Sequence, residues 1–203
     1  MTPLDAARAL AEAAMACLAL RPVCRVALCG GPQLAALIDA LRALPACRRL
    51  DWPNVYVFAT DESWDAVAMH QLAALPLPRA NLVRPRVAGI GRLEAARDYE
   101  QALRAHFSLS TSGMPAFDIL VHERSDAPAG TAPLAAAEIG RLVAVNPRGL
   151  PGITLSPSVV AACRVRIELG PLPPVQTLPS TTTSIGSPTP ATLRPARTAF
   201  SPR

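Results

Sequence analysis

The sequence predicts an α/β fold: a doubly wound, mostly parallel Rossmann-like sheet with helices on both faces, followed by a disordered C-terminal tail. Three observations carry the prediction. Helical and strand-like patterns alternate with short connections through residues 1–170. A short apolar run, Val26 to Cys29, has no polar interruption and stops at Gly30-Gly31, which suits a strand covered on both faces. Beyond Gly170 the composition changes: of the 33 remaining residues 8 are Pro and 11 are Ser or Thr, with no acid and one aromatic, Phe200. Such a segment buries too little apolar surface to offset the entropy of ordering it. The expected organisation is one domain over residues 1–170 and a Pro/Ser/Thr-rich tail over 171–203.

Taken in order, Thr2-Pro3-Leu4-Asp5 opens a helix: Thr2 caps, Pro3 fits the first turn and Asp5 faces the positive end of the dipole. The helix runs to about Leu20 with Leu10, Ala14, Cys17 and Leu18 inward, and Arg21-Pro22 ends it. The strand Val26–Cys29 follows, then the glycine turn, then a helix entered at Pro32 with Leu34, Leu37, Ile38 and Leu41 at helical spacing. Pro45 closes that helix, and a basic turn at Cys47-Arg-Arg49 leads to Asp51-Trp52. Asn54 to Thr60 is β-branched and aromatic, a second strand, and Asp61-Glu62 stand at its C-terminal end. A short helix through His70–Leu75 and a Pro-punctuated loop over 76–91 come next. Arg92 to Phe107 read as an amphipathic helix with Leu93, Ala96, Tyr99, Leu103 and Phe107 inward. After a turn at Ser108–Pro115, Phe117 to His122 is a third strand, and the exit loop from Glu123 to Ala137 returns to the same rim. Leu142–Val145 is a further strand, and Ile153-Thr-Leu155 leads into Ser156-Pro157, the cap and first residue of a helix through Cys163. Arg164–Leu169 alternates polar and apolar, as a half-exposed edge strand does.

Composition excludes several functions. The net charge is +5, but the tail holds Arg194, Arg197 and Arg203, leaving 17 Arg against 15 acids in the body. The arginines are scattered, lysine is absent and aromatics are sparse, so no nucleic-acid surface is expected. No apolar run approaches the roughly 18 residues of a membrane span, and the N-terminal segment carries Asp5, Arg8 and Glu12, unlike a signal peptide. The expected compartment is the cytoplasm. Five cysteines (17, 24, 29, 47, 163) form no C-x-x-C pair and read as small buried hydrophobes rather than disulfides or a zinc site. The three histidines (70, 106, 122) show no ligand spacing, so neither a metal nor a cofactor is expected.

Two stretches carry chemistry. Gly30-Gly31 lets the backbone approach a ligand, and the amides and dipole of the helix behind it favour an anion, with Gln33 in its first turn; alternatively the glycines merely turn the chain. Asp61 and Glu62 lie on the same rim, because ligands of open α/β sheets bind outside the carboxyl ends of strands. Asp61 is equally readable as the N-cap of the helix that follows.

These stretches, in this order, resemble the 6-phosphogluconolactonases, within the broader sugar-phosphate isomerase and deaminase superfamily. Val26-Ala-Leu-Cys-Gly-Gly31 resembles the family's "lsGGstP" phosphate turn. Asp51-Trp52 through Phe58, then Asp61-Glu62, resembles "dW..v.ff..DEr". Asn81-Leu-Val-Arg84, Ala95 to Glu100, Phe117-Asp-Ile-Leu-Val121 and Ile153-Thr-Leu-Ser-Pro157 resemble further family segments. The resemblance spans roughly residues 1–170. It implies hydrolysis of 6-phosphoglucono-δ-lactone to 6-phosphogluconate, a step of the pentose phosphate pathway, with a small phosphorylated sugar lactone as partner. Gly30, Gly31, Gln33 and Arg148 would hold the phosphate. Asp61 would be base or water-orienter, and Glu62 structural or catalytic.

The departures imply an impaired copy. The family's G-x-G-x-D-G-H-x-A-S loop, whose His is taken as the acid/base, reads here Glu123-Arg-Ser-Asp-Ala-Pro-Ala-Gly-Thr-Ala-Pro133, without histidine. His122 precedes that loop and does not take over the role. The hydroxyls of "GGst" are replaced by Pro32 and Gln33, the Arg after "DE" by Ser63, and the segment to Pro78 is short. Past Gly170 the family continues with helix and strand where this chain has its tail, as a frameshift or truncation produces. Two alternatives stand beside the lactonase: a non-catalytic sugar-phosphate-binding remnant, and an amino-sugar-phosphate isomerase/deaminase using the same acidic pair.

Overall fold

Thr2 starts the first helix as its sequence requires: its hydroxyl accepts the Asp5 N–H at 3.2 Å, with Pro3 behind it. The structure is a computed structural model that describes residues 1–64, 66–109, 113–123, 142–145 and 152–170. The expected tail, most of the exit loop after Glu123, and Arg148 lie outside the described residues.

Helix α1 spans Pro3–Leu20, strand β1 Cys24–Leu28, helix α2 Pro32–Ala43 and the short α3 Pro45–Arg49. Strand β2 covers Val55–Ala59, α4 Ala66–Ala73, β3 Leu82–Val83 and α5 Arg92–His106. Strand β4 is Ile119–Glu123, β5 Val143–Val145, β6 Ile153–Leu155, α6 Pro157–Ala161 and β7 Val165–Leu169. Five strands form one sheet in the order β3-β2-β1-β4-β7, every neighbouring pair parallel. The expected doubly wound parallel sheet is therefore what the sequence builds.

The period of two along each strand divides the core. Val26, Leu28, Val55, Val57, Ile119 and Val121 face α1, α2 and α4, whose Leu10, Leu34, Ile38 and Leu72 join the same cluster. Ala27, Phe58 and Leu120 face the other way, against Tyr99 and Leu103 of α5 and Val159 of α6. Residues covered on both sides explain why the strands read as continuous apolar runs. β7 is the sheet's edge, with only Ile167 and Leu169 buried among its five residues.

Several expectations shift. β1 begins two residues earlier than its apolar run and ends at Leu28; Cys29 instead donates its N–H to Val121 O at 3.0 Å. The inward face of α1 is set by Ala6, Ala7 and Ala11 with Leu10 and Ala14, leaving Cys17 and Leu18 half-buried. Small residues let that helix lie close to α2, so the buried stripe follows alanine rather than bulk. Pro45 ends one helix and starts another, α3, where a turn was expected. The 76–91 loop contains the edge strand β3. Leu93 is 46% exposed rather than inward. Strands β5 and β6 form their own antiparallel pair beside α5 instead of extending the sheet. Ser156 caps α6 as expected, accepting from Val159 N at 3.4 Å, but the helix ends at Ala161. Among the described residues no helix is long and apolar enough to cross a membrane.

Candidate functional site

The winding reverses beside β1. From β1 the chain crosses through α2 on one face to reach β2; from β3 it crosses through α5 on the other face to reach β4, on the far side of β1. A crevice therefore opens outside the carboxyl ends of β1 and β4, where open α/β sheets take their ligands. Three chain segments meet there: 29–33 after β1, 60–64 after β2, and Glu123 at the end of β4.

The glycines serve different purposes. A Cβ on Gly30 would lie 2.0 Å from Ser63 Oγ and 2.8 Å from the Ser63 carbonyl carbon and oxygen, so the 61–63 turn packs directly on this residue. Gly31 sits at φ +88° and ψ 180°, a region that essentially only glycine occupies. It is the N-cap of α2, and Pro32 follows as the first helical residue. Gly31 offers no side chain to cap the helix, and among the described residues the N–H groups of Gly31 and Gln33 find no acceptor. Among the described residues the helix thus presents donors without an acceptor, and the positive end of its dipole, to the crevice.

Asp61 is held tightly. Its carboxylate accepts from Thr60 Oγ1 at 2.9 Å, from Ser63 N at 2.7 Å, and from the Ser63 hydroxyl. This is an Asx turn, not a helix cap, since α4 begins only at Ala66. The backbone around it is pinned to β6: Leu155 N donates to Thr60 O at 2.7 Å and Glu62 N to Ile153 O at 3.1 Å. Trp64, 4% exposed, closes the turn from below by donating Nε1–H to Leu28 O at 3.2 Å.

Glu62 turns away from the glycines. Its Oε1 accepts from Gly152 N at 2.8 Å and lies 3.4 Å from Arg92 Nη2. Gly152 has no room for a side chain there, because a Cβ would meet Arg92 Nε at 2.5 Å. Glu62 ties the start of α5 to the segment entering β6, a positioning role.

The sequence reading missed Glu123 as a site residue. Its Oε1 is buried, finds no hydrogen-bond partner among the described residues, and lies 3.2 Å from where a Gly31 Cβ would be. Burial, and then the negative charge of Asp61, push its carboxyl above the ordinary glutamate value. The same surroundings act on Cys29, whose thiol is pushed up to about 12 by burial first and by Glu123 and Asp61 next, leaving it unreactive. Tyr99 donates its hydroxyl to Ala59 O at 2.5 Å and is raised by burial and by Asp61. A signal for Glu123 was present: like Asp61, it is an acid placed two residues after the end of a buried apolar run. His122, its neighbour, points to the opposite face and lies 3.9 Å from Glu168 of β7.

The structure therefore gathers Gly30, Gly31 and Asp61 around one crevice with Glu123, places half-buried Gln33 in the first turn of α2, and directs Glu62 to Gly152 and Arg92. Arg148 lies outside the described residues. Among the described residues the rim is acidic: Asp61, Glu62 and Glu123 stand against Arg92, which Glu62 already engages. Surface concavities also lie elsewhere, one of about 270 Å³ between α5 and β5 and one of about 470 Å³ between α4 and the β3 edge.

Residues 3–122 match the model of a family described as glucosamine-6-phosphate isomerases/6-phosphogluconolactonase. The solved 6-phosphogluconolactonase from Thermotoga maritima is similar at TM-score 0.65 and 15% identity, over 81% of this chain and 78% of that one. The enzyme from Trypanosoma brucei gives TM-score 0.63 and 18% identity, over 84% and 79%. That from Shewanella baltica gives 0.58 and 20%, over 82% and 77%. These likenesses establish the fold. No curated protein matches the sequence.

Proposed function

The chain belongs to the glucosamine-6-phosphate isomerase/6-phosphogluconolactonase family, and from that premise we propose that it binds a phosphorylated sugar in the crevice after β1, β2 and β4 and hydrolyses 6-phosphoglucono-δ-lactone to 6-phosphogluconate, at a reduced rate. The observation that carries this reading is the contact of the Gly30-Gly31 turn with the Asp61 turn through Ser63. It sets an anion-seeking helix start and a fixed carboxylate side by side.

In this reading the substrate phosphate approaches the free amides at the start of α2, and the lactone ring extends toward Asp61. Water adds to the lactone carbonyl, Asp61 takes its proton, and the ring C–O bond breaks as the ring oxygen is protonated. A positioned base of this kind contributes about 10²–10⁴-fold. Two features slow the reaction. The loop after β4 has no histidine in its sequence, and an aspartate is a weak base near neutrality. Glu123 also stands beside Gly31, where its carboxylate opposes an incoming phosphate.

The test is lactone hydrolysis, corrected for the spontaneous rate, in wild type and Asp61→Asn. Weak turnover that falls to background in Asp61→Asn supports the reading, and turnover that survives removes Asp61 from the mechanism. Full family-level turnover refutes the impairment. Glu123 favours one second reading, a non-catalytic remnant. It predicts no turnover above background and weak or no thermal stabilisation by 6-phosphogluconate near neutrality.

A further inference from the structure

At the opposite end of the sheet, where β1 and β4 begin, lies a cluster that the proposed function does not use. Cys17 comes from the last turn of α1, Cys24 is the first residue of β1, and Asp118 precedes β4. One ligand atom from each, two sulfurs and a carboxylate oxygen, lie within 4.8 Å of one another. We propose that Cys17, Cys24 and Asp118 bind a thiophilic divalent cation of the zinc class, clamping the end of α1 to the starts of β1 and β4.

The spacing fits. A tetrahedral zinc with Zn–S of about 2.3 Å and Zn–O of about 2.0–2.2 Å holds its ligand atoms about 3.5–3.8 Å apart. The three atoms, within 4.8 Å of one another, need approach by only about 1 Å to reach that spacing. The carboxylate is already oriented by neighbours, as metal-bound carboxylates are. Asp118 Oδ1 accepts from Arg21 Nη1 at 2.5 Å and Oδ2 from Arg25 N at 2.9 Å, with Arg164 Nε 3.6 Å from Oδ1. Cys24 and Asp118 are 0% and 4% exposed, whereas Cys17 is half-buried and gives the cation a way in.

Charge balance also fits. Without metal, two neutral thiols surround the Asp118–Arg21 ion pair. With metal, the dication replaces two thiol protons, which pass to solvent, and the pocket's net charge is unchanged. A buried site pays little electrostatically for such an exchange, and the guanidinium offsets the excess negative charge of two thiolates and a carboxylate. Sequence spacing concealed the cluster: Cys17 and Cys24 form no C-x-x-C pair, and Asp118 lies far along the chain.

The test uses the full chain, metal-free and reduced, titrated with Cd²⁺ while the thiolate charge-transfer absorbance is read, and with Zn²⁺ while the thermal midpoint is read. One Cd²⁺ per chain should give a band of two-thiolate intensity, and Zn²⁺ should raise the midpoint. A variant with Cys29, Cys47 and Cys163 all changed to Ala should keep both responses undiminished, and Cys17→Ala/Cys24→Ala should lose both, weakening affinity at least 100-fold. A band that survives in the Cys17→Ala/Cys24→Ala variant, or is lost from the Cys29/Cys47/Cys163 variant, overturns the proposal. So does absence of the band in wild type. Should the double variant fail to fold, retention or loss in the triple variant decides.

Discussion

Gly30 and Gly31 are adjacent, yet alanine at each should fail differently. At Gly30 the new methyl would stand 2.8 Å from the carbonyl carbon and oxygen of Ser63. Carbon contacts settle at about 3.5–4.0 Å, so the 61–63 turn must retreat by about 1 Å. Overpacking of this kind costs about 1–3 kcal/mol. For a chain of this size each kcal/mol lowers the midpoint by about 2–4 °C, so Gly30→Ala should lose about 2–12 °C. The retreat also carries Asp61 with it, because Asp61 Oδ1 is bonded to Ser63 N at 2.7 Å. A displacement of about 1 Å at a reacting group costs on the order of 10²-fold in rate. At Gly31 the obstacle is backbone: φ +88° and ψ 180° cost a non-glycine residue about 1–3 kcal/mol. A Cβ there meets only the end of the flexible Glu123 side chain, at 3.2 Å, and leaves the Asp61 turn in place. Thermal unfolding, lactone hydrolysis and stabilisation by 6-phosphogluconate separate the two. Both variants should lower the midpoint. Gly30→Ala should abolish Asp61-dependent turnover, and Gly31→Ala should chiefly weaken ligand stabilisation. An unchanged midpoint and rate in Gly30→Ala would refute the contact on which the site is built.

Gly31→Val, bulky as well as strained, should abolish stabilisation by 6-phosphogluconate, and equal stabilisation of wild type and variant would remove the turn from the argument. Glu123→Gln removes a carboxyl whose affinity for its proton is raised in the folded state, first by burial and then by Asp61. A raised carboxyl stabilises the fold below its unfolded value, and that stability is lost as pH rises through the folded value. The variant's midpoint should therefore gain on wild type as pH climbs from about 4.5 toward neutrality, and a difference that shrinks with pH would contradict this assignment. Its 6-phosphogluconate affinity should also exceed that of wild type near neutrality and converge with it in acid. Glu62→Ala leaves the Gly152 N–H and Arg92 without their acceptor and should cost about 1–3 kcal/mol by chemical denaturation, whereas Glu62→Gln, which keeps an oxygen for Gly152, should cost less. Deleting residues 171–203 keeps the bond from Gly170 N to Met1 O at 3.0 Å and should leave the midpoint nearly unchanged; a loss of many degrees would show that the tail packs on the body.

What the sequence made legible follows from local physics. Buried parallel strands announce themselves because both faces demand apolar residues, so β1, β2 and β4 were visible as runs bounded by glycine or acid. Caps were visible because Thr2 and Ser156 act within three residues of themselves. The pairing of β5 with β6 was not, since three-residue segments carry no information about which partner they meet. Nor was the direction of Glu62, which depends on Gly152, 90 residues away. Glu123 was missed for a related reason: its importance comes from the missing side chain at Gly31, and a glycine's neighbours are not written in the sequence.

Glu123 bears most directly on how far family chemistry survives in this chain. A helix N-terminus carries roughly half a positive charge and favours a nearby anion. Usually that anion is the ligand. Here Glu123 reaches toward the first residue of that terminus from β4, so the field that would hold a phosphate is partly spent on a group of the chain itself. Burial and then Asp61 resist its ionisation, so its neutral form, which tolerates a phosphate, gives way to the charged form, which opposes one, at higher pH than for an ordinary glutamate. Asp61 meanwhile is fixed by three hydrogen bonds and tied through Ser63 to Gly30, so the carboxylate proposed to take the proton is held rigidly. Binding is then the step at which Glu123 makes this crevice sensitive to pH.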